Sequence, residues 1–355
     1  MTKVHNFSAG PCILPQEVFQ QASEAVLDLD GSGLSILEIS HRSPAFVEVM
    51  EEARNLVKEV LNVPDGYEVL FFQGGASTGF LISAYNYLST NGIGKYVNTG
   101  SWSSKAIKEA KRLGQVEVIA SSEDQNFNYI PDFEKQSTGD FLHLTSNNTI
   151  FGTQHQVIDG QDIPLICDMS SDIFSRQVDV SKYDMIYAGA QKNLGPAGAT
   201  VYIIKTDSLG KSGRDIPAML DLNIHLSKDS MFNTPPVFSV YVSMLNLRWL
   251  KKNGGLKWIE GRSNAKAELI YGEIDRNPLF EGTARKDGRS KMNATFVLKD
   301  ESHKEVFDSI WKEANISGIK GHRSVGGYRA SMYNAMDLDS VQALVNCMQE
   351  LENRI

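Results

Sequence analysis

The chain has 355 residues, enough for one large α/β domain and a smaller second domain with a buried core. Its 41% hydrophobic and 22% charged residues are ordinary values for a globular protein. The net charge of −8 provides no basic surface of the kind that binds nucleic acid. We therefore expect a globular protein that binds small molecules rather than nucleic acid.

The cysteines argue against a disulfide framework and against a structural zinc site. Cys12, Cys167 and Cys347 are odd in number, far apart and form no CxxC pair. The first residues lack the apolar core of a signal peptide, and no apolar run approaches the length of a transmembrane helix. We predict a cytoplasmic protein with no metal site and no membrane segment.

Short apolar runs alternate with helical patterns over the first two thirds of the chain. Several of these runs are apolar on both faces, as is typical of strands buried in a parallel sheet. In chain order, the predicted strands are Tyr67–Phe72, Lys95–Thr99, Val116–Ala120, Phe141–Thr145, Pro164–Asp168, Met185–Ala188 and Thr200–Lys205, with helices at Phe80–Leu88 and Trp102–Arg112. Alternating strands and helices predict a doubly wound α/β domain.

The pattern changes after about residue 250. The remaining predicted elements are a helix over Leu256–Glu273, a strand over Met292–Leu298, and helices over Lys304–Ala314 and Ser340–Glu352. This order indicates a compact α+β domain, and the Gly-containing segment 251–255 is the predicted boundary. We predict a large domain over residues 16–250 and a small domain formed by residues 1–15 and 251–355.

Two polar residues follow buried strands in the large domain. Asp168 ends one strand, at the edge where α/β sheets bind ligands, and Lys192 follows the next strand among small residues. A desolvated lysine is a nucleophile, and a carboxylate there could pair with a heterocyclic nitrogen. A solvated loop lysine and a capping aspartate are the alternatives that the local pattern leaves open.

A strand, a glycine turn and a helix start follow one another over residues 67–88. The segment Gln73-Gly-Gly-Ala-Ser-Thr-Gly79 matches neither a Walker A nor a GxGxxG sequence, but such a turn presents free N–H groups to a phosphate. Trp102 lies at the next strand–helix junction, where it could stack on a planar ring or pack in the core. The missing motifs reduce the support for a nucleotide, and neither the glycine turn nor the tryptophan identifies a ligand by itself.

Three further segments are rich in anion-binding groups. Ser40-His41-Arg42-Ser43 and Gly321-His322-Arg323-Ser324 share a His-Arg-Ser triplet, and Arg329 follows the second one. Arginine forks suit carboxylates and phosphates, although surface salt bridges are the alternative. In Asn233-Thr234-Pro235-Pro236, Thr234 is a predicted N-cap with Pro235 as the first helical residue.

These motifs together resemble the phosphoserine aminotransferases, a family of class V aminotransferases among the fold type I pyridoxal-phosphate (PLP) enzymes. The resemblance runs end to end and in the order of the family. It is carried by Asn6–Pro11, Ser40–Arg42, Gly74–Ala76, Trp102, Asp168–Ser171, Ala188–Asn193, Phe232–Pro236 and Gly321–Asn334. It implies a large doubly wound mixed-sheet domain, a small C-terminal α+β domain, and a homodimer whose cofactor sites are shared between subunits.

The resemblance also implies a role for each matching residue. Lys192 would form the Schiff base with PLP, and Asp168 would pair with the pyridine nitrogen. The other implied cofactor ligands are Trp102, Thr149, Ala76, Ser77 and Gln191, with Asn233 and Thr234 from the neighbouring subunit. Arg329 would bind the substrate α-carboxylate, while His41, Arg42, His322 and Arg323 would hold the phosphate of phosphoserine or the side-chain carboxylate of glutamate. Some members carry a basic residue where Ser77 stands.

The implied reaction is transamination between L-glutamate and 3-phosphohydroxypyruvate, with a phosphorylated hydroxythreonine of vitamin B6 synthesis as a further candidate substrate. Three alternatives remain. One is another class V enzyme, such as a cysteine desulfurase, for which no cysteine here lies on a suitable loop. The others are a PLP-binding protein without catalytic activity and a nucleotide-binding α/β protein, which the absence of a phosphate-loop motif disfavours.

Overall fold

The computed structural model describes residues 3–355 of the chain. Its strands are β1 His5–Asn6, β2 Tyr67–Gly74, β3 Ile93–Asn98, β4 Gln115–Ser121, β5 Phe141–Thr145, β6 Asn147–Asn148, β7 Thr153–Gln154, β8 Leu165–Asp168, β9 Met185–Gly189, β10 Gly198–Lys205, β11 Phe280–Gly282, β12 Asn293–Leu298, β13 Ile316–Ser317 and β14 Tyr328–Ser331. Its α-helices are α1 Gln16–Leu27, α2 Pro44–Val60, α3 Ala76–Tyr87, α4 Ser101–Ala110, α5 Leu222–Leu226, α6 Val237–Lys252, α7 Gly255–Arg276, α8 Lys304–Glu313 and α9 Leu338–Arg354.

A seven-stranded mixed sheet in the order β2-β10-β9-β8-β5-β3-β4 forms the centre of the large domain. Strand β10 is antiparallel to both of its neighbours, and the remaining pairs are parallel. This arrangement confirms the predicted mixed-sheet α/β fold. The ends of β5, β8 and β9 therefore reach the same edge of the sheet, which is where the crevice for a ligand lies in such folds.

Both faces of the sheet are covered, which explains why its strands are apolar on both sides. In β5, Leu142 and Leu144 belong to the core that includes residues of α1, α2 and α6. The alternate residue Phe141 belongs to a second core with residues of α3, α4 and α5. Because successive strand residues point to opposite faces, His143 and Thr145 lie on the same face of the sheet as Phe141. Asp168 lies on this face too, on the neighbouring strand β8.

The small domain packs α7, α8 and α9 around the antiparallel sheet β11-β12-β14. Phe7, from the N-terminal segment, is fully buried in the core of this small domain. Helix α7 contributes Leu256 and Ile259 to the large core, and Ile270 and Ile274 to the small one. One continuous helix thus joins the core that contains α1, α2 and α6 to the core of the small domain. The division into residues 16–250 and residues 1–15 with 251–355 stays a prediction.

The predicted starts of two helices were wrong. Helix α3 begins at Ala76, with Gly75 as its extended N-cap, rather than at Phe80. Helix α6 begins at Val237 with Pro236 as N-cap, so Thr234 is not a cap and Pro235 is not helical. A residue that precedes proline is disfavoured in the α region, and Pro236 therefore keeps Pro235 out of the helix. None of the helices in residues 3–355 is long and apolar enough to cross a membrane.

Candidate active site

A cavity of about 380 Å³ lies at the edge of the sheet where the parallel strands end. It is lined by Ala9, Gly10, Gly75, Ala76, Ser77, Trp102, Thr145, Asn147, Thr149, Ile150, Asp168, Ser170, Ser171, Gln191, Lys192, His322 and Arg329. The two basic residues His322 and Arg329 come from the small-domain half of the sequence, and most other lining residues follow strands of the large sheet. The cavity is therefore a cleft between the two packed units.

Asp168 is the last residue of β8 and lies at the base of this cavity. Its Oδ1 accepts hydrogen bonds from the backbone N–H of Ser170 at 2.9 Å and from the Ser170 hydroxyl at 2.6 Å. The Ser170 hydroxyl also accepts the Gly189 N–H at 3.1 Å, which ties the carboxylate to β9. Burial raises the pKa of Asp168, an effect that these hydrogen bonds and the Lys192 charge oppose.

Lys192 stands in the turn between β9 and β10, and its side chain is only 8% exposed. Its Nζ donates a hydrogen bond of 2.7 Å to the Oγ1 of Thr149, which lies in the turn between β6 and β7. Burial lowers the pKa of Lys192 to about 8, although the Asp168 carboxylate acts in the opposite direction. On the order of a tenth of the buried amine is thus unprotonated at pH 7, which makes it available as a nucleophile or a general base.

The backbone around Lys192 is fixed by contacts from three separate parts of the chain. The Cys12 thiol donates to the Lys192 carbonyl at 2.7 Å. Asn246 of α6 donates to the carbonyl of Asn193 at 2.8 Å, and the Asn334 N–H donates to the Asn193 side-chain oxygen at 3.0 Å. These bonds hold the lysine by its neighbours and leave its Nζ directed into the cavity.

The N-terminus of α3 forms one wall of the cavity. Gly75, Ala76 and Ser77 line it, and the N–H groups of a helix's first turn have no partner within the helix. A side chain at Gly189 would place its Cβ 2.8 Å from Gln191 Oε1 and 3.3 Å from the Ala76 nitrogen. The absent side chain lets Gln191 approach the helix start, and the two together form a suitable cradle for a phosphate.

Trp102, in the first turn of α4, forms a flat wall opposite these groups. The Lys192 Nζ lies 5.8 Å from the centroid of its ring. The indole N–H is buried and has no hydrogen-bond acceptor among the described residues. A buried donor without an acceptor is unusual in a folded protein, so a ligand or water is expected to meet this N–H, and the flat face of the indole fits a planar ring.

Arg329 in β14 and His322, in the segment before it, also line the cavity. Arg329 Nη1 lies 3.5 Å from the carbonyl oxygen of Thr149, the residue that contacts Lys192. The pKa of Arg329 is lowered by burial, and the pKa of His322 is lowered by burial and by the neighbouring cations. The half-buried guanidinium, whose Nε has no hydrogen-bond partner among the described residues, can donate to an incoming carboxylate.

The structure brings most of the predicted site residues together in this one cavity. Those that line it are Ala76, Ser77, Trp102, Thr149, Asp168, Gln191, Lys192, His322 and Arg329. Those that do not line it within one chain are His41, Arg42, Asn233, Thr234 and Arg323. The ligand contacts predicted for both groups stay predictions.

The sequence interpretation missed several lining residues, among them Ser170, Ser171 and Asn147. Ser170 holds Asp168, and Asn147 donates to the Ser171 hydroxyl at 2.8 Å. Ser170 and Ser171 lie in the Asp-Met-Ser-Ser motif, which was an available signal. Ala9 and Gly10 come from the Asn-Phe-Ser-Ala-Gly-Pro motif near the start, whose proximity to Lys192 only the tertiary structure shows.

Comparison with known proteins identifies the class of protein that has this fold and site. The family model of class V aminotransferases matches residues 4–344. The phosphoserine aminotransferase of Flavobacterium psychrophilum is 59% identical over 355 residues, covering 99% of this chain and 100% of that protein. The chain belongs to the class V aminotransferases and, within them, to the phosphoserine aminotransferase family.

Solved structures of the same family agree with this assignment. One phosphoserine aminotransferase, studied for radiation damage of its Schiff base, is 44% identical with a TM-score of 0.97, and each chain covers 100% of the other. The enzyme from Bacillus circulans subsp. alkalophilus is 42% identical with a TM-score of 0.96 over 99% of both chains. Members of this class use pyridoxal phosphate as their cofactor, and so does this chain.

The residues on the cavity walls fit that cofactor. A phosphate matches the N-terminus of α3, a planar ring matches Trp102 with its unpaired indole N–H, and a pyridine nitrogen matches Asp168. The buried amine of Lys192 matches an aldehyde carbon. Asp168 Oδ1 is already engaged by Ser170, and its Oδ2 has no partner among residues 3–355, which leaves one oxygen for the ring nitrogen.

Proposed function

We propose that this chain catalyses reversible transfer of an amino group between L-glutamate and 3-phosphohydroxypyruvate, giving 2-oxoglutarate and O-phospho-L-serine. The observation that carries this proposal is the buried Lys192 amine in one cavity with Trp102, Thr149, Asp168, Arg329 and His322. The relatives named phosphoserine aminotransferase support the choice of substrates. The reaction is a step of serine biosynthesis.

The cofactor, when bound, supplies a carbonyl carbon that takes up and releases amino groups. Its ring withdraws electrons from the amino acid that reacts there. Lys192 would hold it covalently, Trp102 would cover one ring face, and Asp168 would keep the ring nitrogen protonated. Thr149 would donate to the ring hydroxyl oxygen, and Ala76, Ser77 and Gln191 would hold the phosphate. Ser77 offers a hydroxyl and an N–H there, without the positive charge that a basic residue would add.

The Lys192 amine would also move the proton at the substrate Cα. Burial lowers the pKa of Lys192 to about 8, so the free amine is accessible at neutral pH and the ammonium can return the proton. The hydrogen bond of 2.7 Å to Thr149 Oγ1 positions the Nζ when it is not bound to the cofactor. The lysine thus serves both as attachment point and as general base and acid.

Both substrates carry an α-carboxylate and a second anion. Arg329, half-buried beside Thr149, would bind the α-carboxylate common to the two. His322 lines the cavity beyond it and would bind the phosphate or the side-chain carboxylate, together with Arg323, His41 and Arg42. A histidine can adjust its protonation to anions of different charge near neutral pH.

The functional unit we propose is a cytoplasmic homodimer. Asn233 and Thr234, like His41 and Arg42, do not line the cavity of their own chain, although all four are assigned to it by the family resemblance. A second subunit would bring Asn233 and Thr234 to the cofactor phosphate. Closed twofold dimers are the most frequent oligomers and allow such sharing in both sites at once.

A desulfurase activity is disfavoured by the state of Cys12. Its thiol is bonded to the Lys192 carbonyl, and burial raises its pKa to about 12. A cysteine that stays protonated and engaged with the backbone is a poor nucleophile.

Phosphorylated hydroxythreonine, which shares the amino acid and phosphate groups of phosphoserine, is the finer proposal for a second substrate and connects the enzyme to pyridoxine biosynthesis.

The first experiment is spectroscopic. The protein loaded with pyridoxal phosphate is expected to show the visible band of a lysine-bound cofactor. Addition of L-phosphoserine or L-glutamate should remove this band, whereas L-serine and L-alanine should not. The matched variant Lys192→Ala should lack both the band and turnover. A band that responds to serine or alanine instead of phosphoserine would overturn the substrate assignment, and wild-type turnover by Lys192→Ala would overturn the mechanism.

A further inference from the structure

A second lysine lies against the tryptophan wall of the cavity. Lys105 belongs to α4, three residues after Trp102, and its Nζ lies 4.3 Å from the centroid of the Trp102 ring. Residues three apart on a helix are neighbours on its surface, so this contact follows from the helical spacing. The side chain of Lys105 is exposed, whereas Lys192, whose Nζ lies 5.8 Å from the same centroid, is buried.

Lys105 lies beside the part of the cavity that carries His322 and Arg329, because both of these residues line the cavity together with Trp102, against which Lys105 packs. In keeping with this placement, the pKa of His322 is lowered by burial and then by the charges of Arg329, Arg323 and Lys105. None of these three forms a salt bridge in the part of the chain that the structure describes. Cations without an acidic partner beside a cavity attract an anion to it.

We propose that Lys105 is a specificity residue, which contacts the distal anion of the substrate and favours phosphate over carboxylate. This inference rests on the proposed function. The two substrates share the α-carboxylate and differ in the distal group, which carries a charge of about −1.5 to −2 as a phosphate and −1 as a carboxylate. A cation at the distal group therefore discriminates between them, whereas Arg329 at the shared group does not.

The chemistry of lysine suits this position. Its ammonium is a compact charge on a flexible stem, so it can follow distal anions of different size and reach. The Trp102 ring face holds the ammonium by a cation–π contact and limits the positions it samples. Lys105 thus supplies an adaptable positive charge beside the Trp102 wall of the cavity.

The test compares three variants of the holoenzyme with wild type. Lys105→Met keeps an unbranched stem and removes the charge, and Lys105→Arg keeps the charge. Lys108→Met is the matched control, because Lys108 is an exposed lysine of the same helix. Single-turnover half-reactions with L-phosphoserine and with L-glutamate give kcat/KM for each amino acid.

We expect Lys105→Met to lower kcat/KM about 10-fold for phosphoserine and about 2–3-fold for glutamate. The 10-fold loss is of the order of one lost charged hydrogen bond. Lys105→Arg should retain most of the preference, and Lys108→Met should match wild type. Added salt should reduce the phosphoserine preference of wild type more than that of Lys105→Met, because salt screens exposed charges and the variant has one fewer of them at the distal anion.

Two outcomes would overturn this inference alone. An unchanged ratio of the two kcat/KM values in Lys105→Met would show that the lysine does not contact the distal anion. Equal losses for both substrates, with weaker cofactor binding, would show that it only supports Trp102. A wild-type holoenzyme that does not respond to phosphoserine would overturn the proposed function itself, and this inference with it.

Discussion

Gly79 provides a sharp test of how the fold positions the phosphate cradle. This glycine lies in α3, one turn after Ala76 and Ser77, and is packed against the ring of Tyr187 in β9. A Cβ added at Gly79 would lie 2.5 Å from Tyr187 Cδ2 and 2.6 Å from Cε2. Because carbon atoms pack at about 3.5–4.0 Å, Gly79→Ala requires a shift of about 1 Å.

The ring cannot easily supply this shift. Tyr187 is fully buried, its hydroxyl bonds to His143 Nε2 at 2.8 Å, and its ring stacks on Tyr202 with centroids 6.2 Å apart. We therefore expect α3 to move away from the sheet. Overpacking of this kind costs about 1–3 kcal/mol of unfolding free energy, which for a chain of 355 residues corresponds to a Tm lower by about 1–4 °C.

The same displacement would change cofactor binding. The first N–H groups of α3 would move by about 1 Å relative to Lys192 and Asp168, which are held by β8, β9 and their turns. Loss of one good hydrogen bond to a charged phosphate costs about 1.5–3 kcal/mol, or about 10- to 100-fold in the dissociation constant. Titration of the apoprotein with pyridoxal phosphate, followed by absorbance, measures this effect, and calorimetry of the apoprotein measures Tm.

Gly272→Ala is the matched control. Gly272 lies in α7 and is exposed, and a Cβ added there would have no neighbouring atom within 4 Å, so alanine should be neutral or stabilising by about 1 kcal/mol. The reasoning would be refuted if Gly79→Ala kept the wild-type Tm. A lower Tm with an unchanged cofactor dissociation constant would refute the part that links the position of α3 to the phosphate.

Two further predictions concern the cavity itself. In the apoprotein, Lys192→Met should be more stable than wild type at pH 7. This advantage should shrink as the pH rises from about 8 to 10.5, because the folded wild type then loses a proton that the unfolded chain keeps. Denaturant unfolding of both apoproteins at pH 7 and 10 measures the difference in stability, and a difference that does not change with pH would contradict the prediction. Arg329→Lys should lower kcat/KM by about 10–100-fold for phosphoserine and glutamate alike, because a bidentate contact to the shared α-carboxylate is lost. Steady-state kinetics with each substrate measures the two losses. A loss confined to one substrate would place Arg329 at the distal anion instead.

The sequence by itself determined the class of fold and the central chemistry. Apolar runs such as Phe141–Thr145 and Met185–Gly189 are strands because they are buried on both faces, and such burial is written in local composition. Lys192 and Asp168 follow such strands, and parallel strands end at one edge of the sheet. Their proximity to the cavity therefore followed from order along the chain.

Only the tertiary structure decided the contacts between distant segments. Lys192 meets Thr149 from 43 residues away and Cys12 from 180 residues away, and neither pairing is encoded in local periodicity. Helix α7 joins both cores because its two halves face different partners, which a single amphipathic pattern does not reveal. Local patterns report whether a residue is buried, whereas strand order and domain packing decide which residues it meets there.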